Sequence, residues 1–468
     1  MVFSSIIFMF TFLPLSLLMY YIMPKGMKNL ILLLISLIFY AWGEPIYVLL
    51  MVFTIIFDYI MARLINKSRN EKIKFKIIFI FTLFINILIL GFFKYYGFLI
   101  DNINNIFNLS IKYKQLALPV GISFYTFQTL SYIVDVYLDK VRVQKNIVSF
   151  ALYVTMFPQL VAGPIVKYSD IDYQLDNRKE SFNKFGYGVE RFLRGLAKKV
   201  LLANNIGIVW TTIQGMDINN ISVLTSWIGI IAYTFQIYFD FSGYSDMAIG
   251  LGKMFGFDFI ENFNYPYISK SVTEFWRRWH ISLGTWFREY IYIPLGGNRT
   301  STSKHIRNLF VVWLFTGLWH GASWNFVVWG LYYGFILLME KMVLNKVLIK
   351  LPNFIKHIYT MILVIIGWVF FGSTSLSVAM DYIKVMFGIS GNQLIDSAAL
   401  YYLYTNIKLF IILGICATPI ISIIFNKIID IGEKKGIVFA VIVNIMIIIL
   451  STAYLVNETY NPFLYFRF

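Results

Sequence analysis

Apolar runs of about 20 residues recur along nearly the whole chain, and each is long enough to cross the ~30 Å hydrocarbon core of a bilayer. They occupy residues 1 to 23, 29 to 43, 45 to 65, 77 to 99, 146 to 166, 222 to 239, 308 to 339, 358 to 374, 408 to 426 and 437 to 455. Of the 468 residues, 59% are hydrophobic and only 14% charged. A water-soluble globule carries about 25% charged residues, so this chain lacks the groups to solvate one. In lipid a backbone must satisfy its own polar groups, and helices do so within one segment. The pattern predicts an all-α polytopic membrane protein with about eleven transmembrane helices.

The formal net charge of +16 does not point to nucleic acid, because the cations cluster in short loops beside apolar ends. Lys25 and Lys28, Arg63 to Lys76, Lys346 to Lys356, and Lys427 to Lys435 read as cytoplasmic. That assignment predicts a multi-pass protein of the cell membrane with the N-terminus and the tail 457 to 468 both extracytoplasmic. The first apolar segment has neither a basic flank before it nor a small-residue cleavage site after it, and is expected to stay as a membrane helix. The single cysteine, Cys416, supports neither a disulfide nor a cysteine-based metal site, and no metal is expected. With no linker or internal repeat, residues 1–468 read as one membrane domain.

The middle, about 118 to 329, differs from the ends. Gly, Pro and charges interrupt its apolar runs at Leu118 to Phe124, Pro158 to Pro164 and Asp240 to Asp246. Broken helices survive at membrane depth only where protein or water satisfies the backbone, so this region is expected to surround a cavity. Asp240 and Asp246 lie at i and i+6 and would not share a helix face, and Gly243 between them suggests a turn; structural hydrogen bonding at a helix break is the preferred reading. The same aspartates, with Gln159 and Gln236, also suit a transporter with a midplane site.

The chain has four histidines, and two sit in unusual company. His280 follows Glu274-Phe-Trp-Arg-Arg-Trp; on helical spacing Arg277 lies at i−3 and Trp276 at i−4, giving one face a cation, an indole and an imidazole. So many charges do not face lipid, which predicts an interfacial or short re-entrant helix. Trp276, Arg277, Arg278 and Arg288 would suit an anionic cofactor, or else lipid phosphates and the aromatic belt. His320 lies in Gly317-Leu-Trp-His-Gly-Ala-Ser-Trp-Asn325. A buried histidine is often only a core residue, yet Gly317 and Gly321 would let a substrate or another backbone approach this one. Ser323 and Asn325 are placed to orient the imidazole or an acyl group.

Taken together and in order, Pro158–Pro164, Asp240–Asp246, Phe275-Trp-Arg-Arg-Trp-His280, Tyr292-Ile-Pro-Leu-Gly-Gly297 and Leu318-Trp-His-Gly321 resemble the membrane-bound O-acyltransferase superfamily. The resemblance covers nearly the full length. It is to the bacterial branch of alginate and peptidoglycan O-acetylation membrane proteins and, more distantly, to the D-alanyl transfer protein of teichoic acids. It implies helices around a central tunnel, with His320 as the catalytic histidine and His280 as a second functional histidine toward the cytoplasmic side. It also implies acetyl-CoA as donor substrate with no permanently bound cofactor, an extracytoplasmic cell-wall or secreted polysaccharide as acceptor, and a separate extracytoplasmic transferase as partner. The aromatic end, Pro462 to Phe468, looks like the terminal motif of this branch, which makes Tyr465 a candidate acyl carrier beside its plainer reading as an interface anchor. D-alanyl transfer, transport and a purely structural scaffold are the alternatives.

Overall fold

The computed structural model describes residues 1–114, 116–161, 163–430, 433–457, 463 and 464, apart from the side chains of 426, 429, 430, 433 and 434. Its regular structure there is helical, with one isolated bridge between Phe263 and Trp279. Seven of these helices are long and apolar enough to cross a membrane: Lys25–Gly43, Tyr47–Lys67, Lys72–Phe107, Trp324–Leu348, Asn353–Gly372, Ser397–Cys416 and Lys435–Asn457.

Three of the expected runs fold differently. The 146 to 166 run forms only the nine-residue helix Ile147–Thr155, because Pro158 and Pro164 cannot continue it. The 308 to 339 run is two helices, Thr302–His320 and Trp324–Met339, separated at Gly321-Ala-Ser323. The 408 to 426 run breaks after Cys416 and restarts at Ile420.

The chain divides into two compact units. The first comprises Met1–Phe192 and Ser245–Ile260. Phe3, Phe8, Phe39 and Phe157 pack there with ring centroids 5.0 to 6.4 Å apart, an arrangement of tilted and edge-on pairs. The break near Leu118 is borne out: Gly121 adopts φ +76° before the Ile122–Tyr137 helix, and a Cβ there would lie 2.9 Å from the Leu160 carbonyl oxygen. Only glycine tolerates both constraints.

The second unit comprises Leu193–Tyr244 and Glu261–Leu464, and it contains all four histidines. Its tightest crossing joins the Thr302–His320 and Trp324–Met339 helices. A Cβ on Gly317 would fall 2.3 Å from the Phe326 carbonyl oxygen, and one on Gly330 would fall 2.3 Å from that of Trp313. Small residues let the two backbones touch, the usual means of helix association where lipid removes the hydrophobic drive.

Candidate functional site

His280 is built by a short helix and its abrupt end. Ser271 caps the Val272–Arg278 helix, its hydroxyl accepting from the Glu274 N–H at 3.0 Å. The Glu340 carboxylate takes the other leading donors, accepting from the Val272 N–H at 2.7 Å and from Thr273 N–H and Oγ1–H at 2.8 and 2.6 Å. An acid at the positive end of a helix satisfies donors that would otherwise lack partners. The helix stops at Arg278, where the Asn264 N–H donates to the Arg278 carbonyl and the Ile281 N–H to that of Asn262, at 2.9 and 3.0 Å.

Those bonds to residues 262–264 replace the next helical turn. His280 therefore sits in left-handed backbone, φ 46° and ψ 54°, ahead of the Ile281–Phe287 helix. The expectation of one helical face through Trp276, Arg277 and His280 is corrected accordingly. A histidine with positive φ is uncommon and is a strained position held by its surroundings.

Those surroundings also fix its protonation. His280 is 1% exposed, with Nδ1 3.2 Å from Asn262 Oδ1. The Ser282 N–H and hydroxyl donate to that same oxygen at 3.1 and 2.9 Å, which sets the amide orientation. Facing an acceptor, Nδ1 carries the proton and Nε2 carries the lone pair. Burial pushes the pKa down to about 3, so the ring is neutral at physiological pH.

His280 lines a cavity of about 1230 Å³ together with Trp276, Arg277, Arg288, Arg299 and Lys341. The Arg277, Arg288 and Arg299 side chains are exposed. Lys341 Nζ donates to His305 Nε2 at 3.0 Å; burial, aided by the Lys341 charge, holds His305 below the usual histidine range. A cavity edged by guanidinium and ammonium groups and floored by indoles can hold a polyanion beside an apolar arm. Arg278 is turned elsewhere: it pairs with Glu274 at 2.9 Å and donates to the Asn264 carbonyl at 3.1 Å.

His320, the last residue of its helix, is 3% exposed. The Trp329 and Phe371 rings meet it edge-on at 5.0 and 5.1 Å. Trp319 links the two histidines, its ring 5.0 Å from His320 and 6.0 Å from His280. Of the two approaches anticipated at the glycines, the structure has the intramolecular one. Gly317 faces the Phe326 carbonyl, and a Cβ on Gly321 would lie 2.2 Å from the Phe326 ring. Ser323 donates to Asn325, whose Nδ2 donates to the Phe370 and Ser373 carbonyls at 3.1 and 3.0 Å. Asn325 thus ties down the segment that carries Phe371.

The Asp240–Asp246 stretch is not a helix break. Val223–Met254 runs through it as one helix, and the turn expected at Gly243 is corrected: a Cβ there would lie 2.8 Å from the Gly195 carbonyl oxygen, so this glycine serves close packing. The expected structural bonding is present. Asp240 pairs with Lys199, and Asp246 accepts from Arg191 at 2.7 and 3.0 Å. Tyr465 lies outside the described residues. Asn262, Lys199 and Glu340 were not anticipated; Glu340, an acid ending an apolar run, was the one with a readable signal.

The model of the membrane-bound O-acyltransferase family matches residues 138–383. The chain is 38% identical to the probable alginate O-acetylase AlgI of Pseudomonas putida over 100% of both chains. It is 42% identical to that of Pseudomonas aeruginosa over 84% of this chain and 76% of the relative. With the peptidoglycan O-acetyltransferase of Helicobacter pylori it shares 36% identity, over 84% and 81%. With motifs, helices and relatives in agreement, the chain belongs to the membrane-bound O-acyltransferase family and is a multi-pass membrane acyltransferase.

Proposed function

We propose that this acyltransferase takes an acetyl group from acetyl-CoA on the cytoplasmic side and delivers it for O-acetylation of an extracytoplasmic polysaccharide of the cell wall or a secreted polymer. The relatives' names, alginate O-acetylase and peptidoglycan O-acetyltransferase, support the group transferred and the class of acceptor. The observation that carries the donor side is a single cavity lined by Arg277, Arg288 and the His280 imidazole. Arg277 and Arg288 bind the phosphates, Trp276 packs against the pantetheine arm, and Trp319 joins His280 to His320.

In this reading residues 1–468 act as one membrane domain, with both termini extracytoplasmic. His320 takes the proton from the attacking hydroxyl. As the new C–O bond forms and the C–S bond breaks, the imidazolium returns that proton to the leaving thiolate. Where the attacking hydroxyl is that of Tyr465, an acetyl-tyrosine forms and a partner transferase moves the acetyl group to the polymer; Tyr465→Phe then stops transfer, whereas an interface anchor would tolerate it.

The test is His320→Ala, with membrane insertion checked, assayed by label passing from acetyl-CoA to the outer-face polysaccharide. Loss of about 10²- to 10⁴-fold is expected for removal of a general base. Unchanged transfer would sink the reading in favour of a transporter or scaffold. Arg277→Ala with Arg288→Ala is expected to raise the donor KM while leaving the acceptor KM in place.

A further inference from the structure

Lys199 and Asp240 form an ion pair whose side chains are only 2% and 3% exposed. Burying two charges is costly, and such pairs are often replaceable by apolar residues of similar size. Here each member also meets a second partner, and both partners belong to a short segment more than 200 residues downstream of Asp240. The Leu464 N–H donates to Asp240 Oδ2 at 2.9 Å. The Lys199 ammonium lies 4.8 Å from the centroid of the Phe463 ring. Tyr244, one turn along the helix from Asp240, meets that ring edge-on at 4.5 Å, and Phe463 is 1% exposed.

The carboxylate's two oxygens are divided, one taking the ammonium and the other a backbone amide. A backbone amide is a recognition element available in any sequence, while the ring over the ammonium selects an aromatic residue just before it. We propose that Lys199 and Asp240 are the receptor for the Phe463–Leu464 segment, and that as positioning residues they hold in register the next residue in sequence, Tyr465. The receptor role stands on the contacts above. The positioning role rests on the reading of Tyr465 as acyl carrier.

The two roles separate experimentally. Full-length protein in lipid nanodiscs is treated with carboxypeptidase, and the products are read by intact mass. In the wild-type chain, trimming halts with Leu464 retained. K199M/D240L removes both members of the pair at similar volume, and trimming then passes Leu464. F463A, which leaves both charges in place, gives the same release and serves if the double variant does not insert. Halting at Leu464 in the variants as in wild type overturns the receptor, whatever becomes of the chemistry, because this readout needs no acetyl transfer. In untreated portions of the same preparations, with Tyr465 intact, kcat for acetyl transfer by the variants falls about 10²-fold, the scale of a misplaced reacting group, with the donor KM unchanged. A kcat unchanged despite trimming past Leu464 overturns the positioning role, and a raised donor KM does the same by pointing to a general disturbance of the fold.

Discussion

His280 and His320 are both buried beside aromatic rings, but their surroundings are built differently. His280 stands in a collar of directional polar contacts, with Asn262 and Ser282 around its Nδ1 and a cation-edged cavity beside it. His320 is wedged among rings, with Trp329 and Phe371 edge-on. Hydrogen bonds set which nitrogen bears the proton, whereas aromatic edges set where the ring stands. Aromatic edges orient both imidazoles, Phe241 meeting His280 edge-on at 4.7 Å and Trp319 touching both, while at His280 the Asn262 and Ser282 contacts fix the tautomer as well.

Breaking the polar collar is expected to have the largest effect. Asn262→Leu removes the acceptor that holds the proton on His280 Nδ1; on the proposed role of His280, acetyl transfer falls about 10- to 100-fold, the scale of losing a partner that orients a metal-bound histidine. Asn262→Asp, which keeps an acceptor there, recovers most of the rate, and steady-state kinetics of the two variants side by side decide it. On the aromatic side, Gly317→Ala drives a Cβ against the Phe326 carbonyl and destabilises by about 1–3 kcal/mol. Gly26→Ala, where a Cβ meets nothing within 4 Å, is the neutral control in the same thermal unfolding series.

Glu340→Gln is expected to weaken the support of the Val272–Arg278 helix by about 1–2 kcal/mol, since one oxygen then serves donors that two serve now. Unfolding midpoints again measure it, and a midpoint unmoved from wild type would remove Glu340 from this role. The remaining prediction concerns pH. His280 is held at about 3 in the folded chain against an unfolded value of about 6.5. Between those values the unfolded chain binds the extra proton, so stability declines as pH drops below 6.5 and the loss is complete near 3. His280→Gln is expected to flatten that slope in unfolding measured across the interval.

Much of this was legible in the sequence, for reasons that differ by residue. Long apolar runs with basic ends announce membrane helices because lipid leaves the backbone no other choice. Pro158 and Gly121 mark breaks because their local chemistry forbids continuation, whereas the break at Gly321-Ala-Ser323 was hidden within the single apolar run 308 to 339. The break at His280 was invisible from spacing, since Phe275-Trp-Arg-Arg-Trp is an acceptable helix and the competing bonds come from 262–264. Gly243 misled for the converse reason: a glycine placed for packing against Gly195 looks in sequence like a glycine placed for a turn. The cations that meet Asp240 and Asp246 lie 41 and 55 residues upstream, beyond what helical spacing encodes.

The hairpin of Thr302–His320 and Trp324–Met339 also bears on the order in which the site assembles during synthesis. Gly317 and Gly330 are close in sequence, so the contact between these helices can form as soon as the second has left the ribosome, while chain closure is still cheap. That step brings Trp329 to His320. Phe371 lies at the far end of the next apolar helix, Asn353–Gly372, so the ring cage around His320 closes in two stages. Between them the imidazole lacks the Phe371 edge, and that interval is when a nascent chain with a defect in the later helix is most open to misassembly.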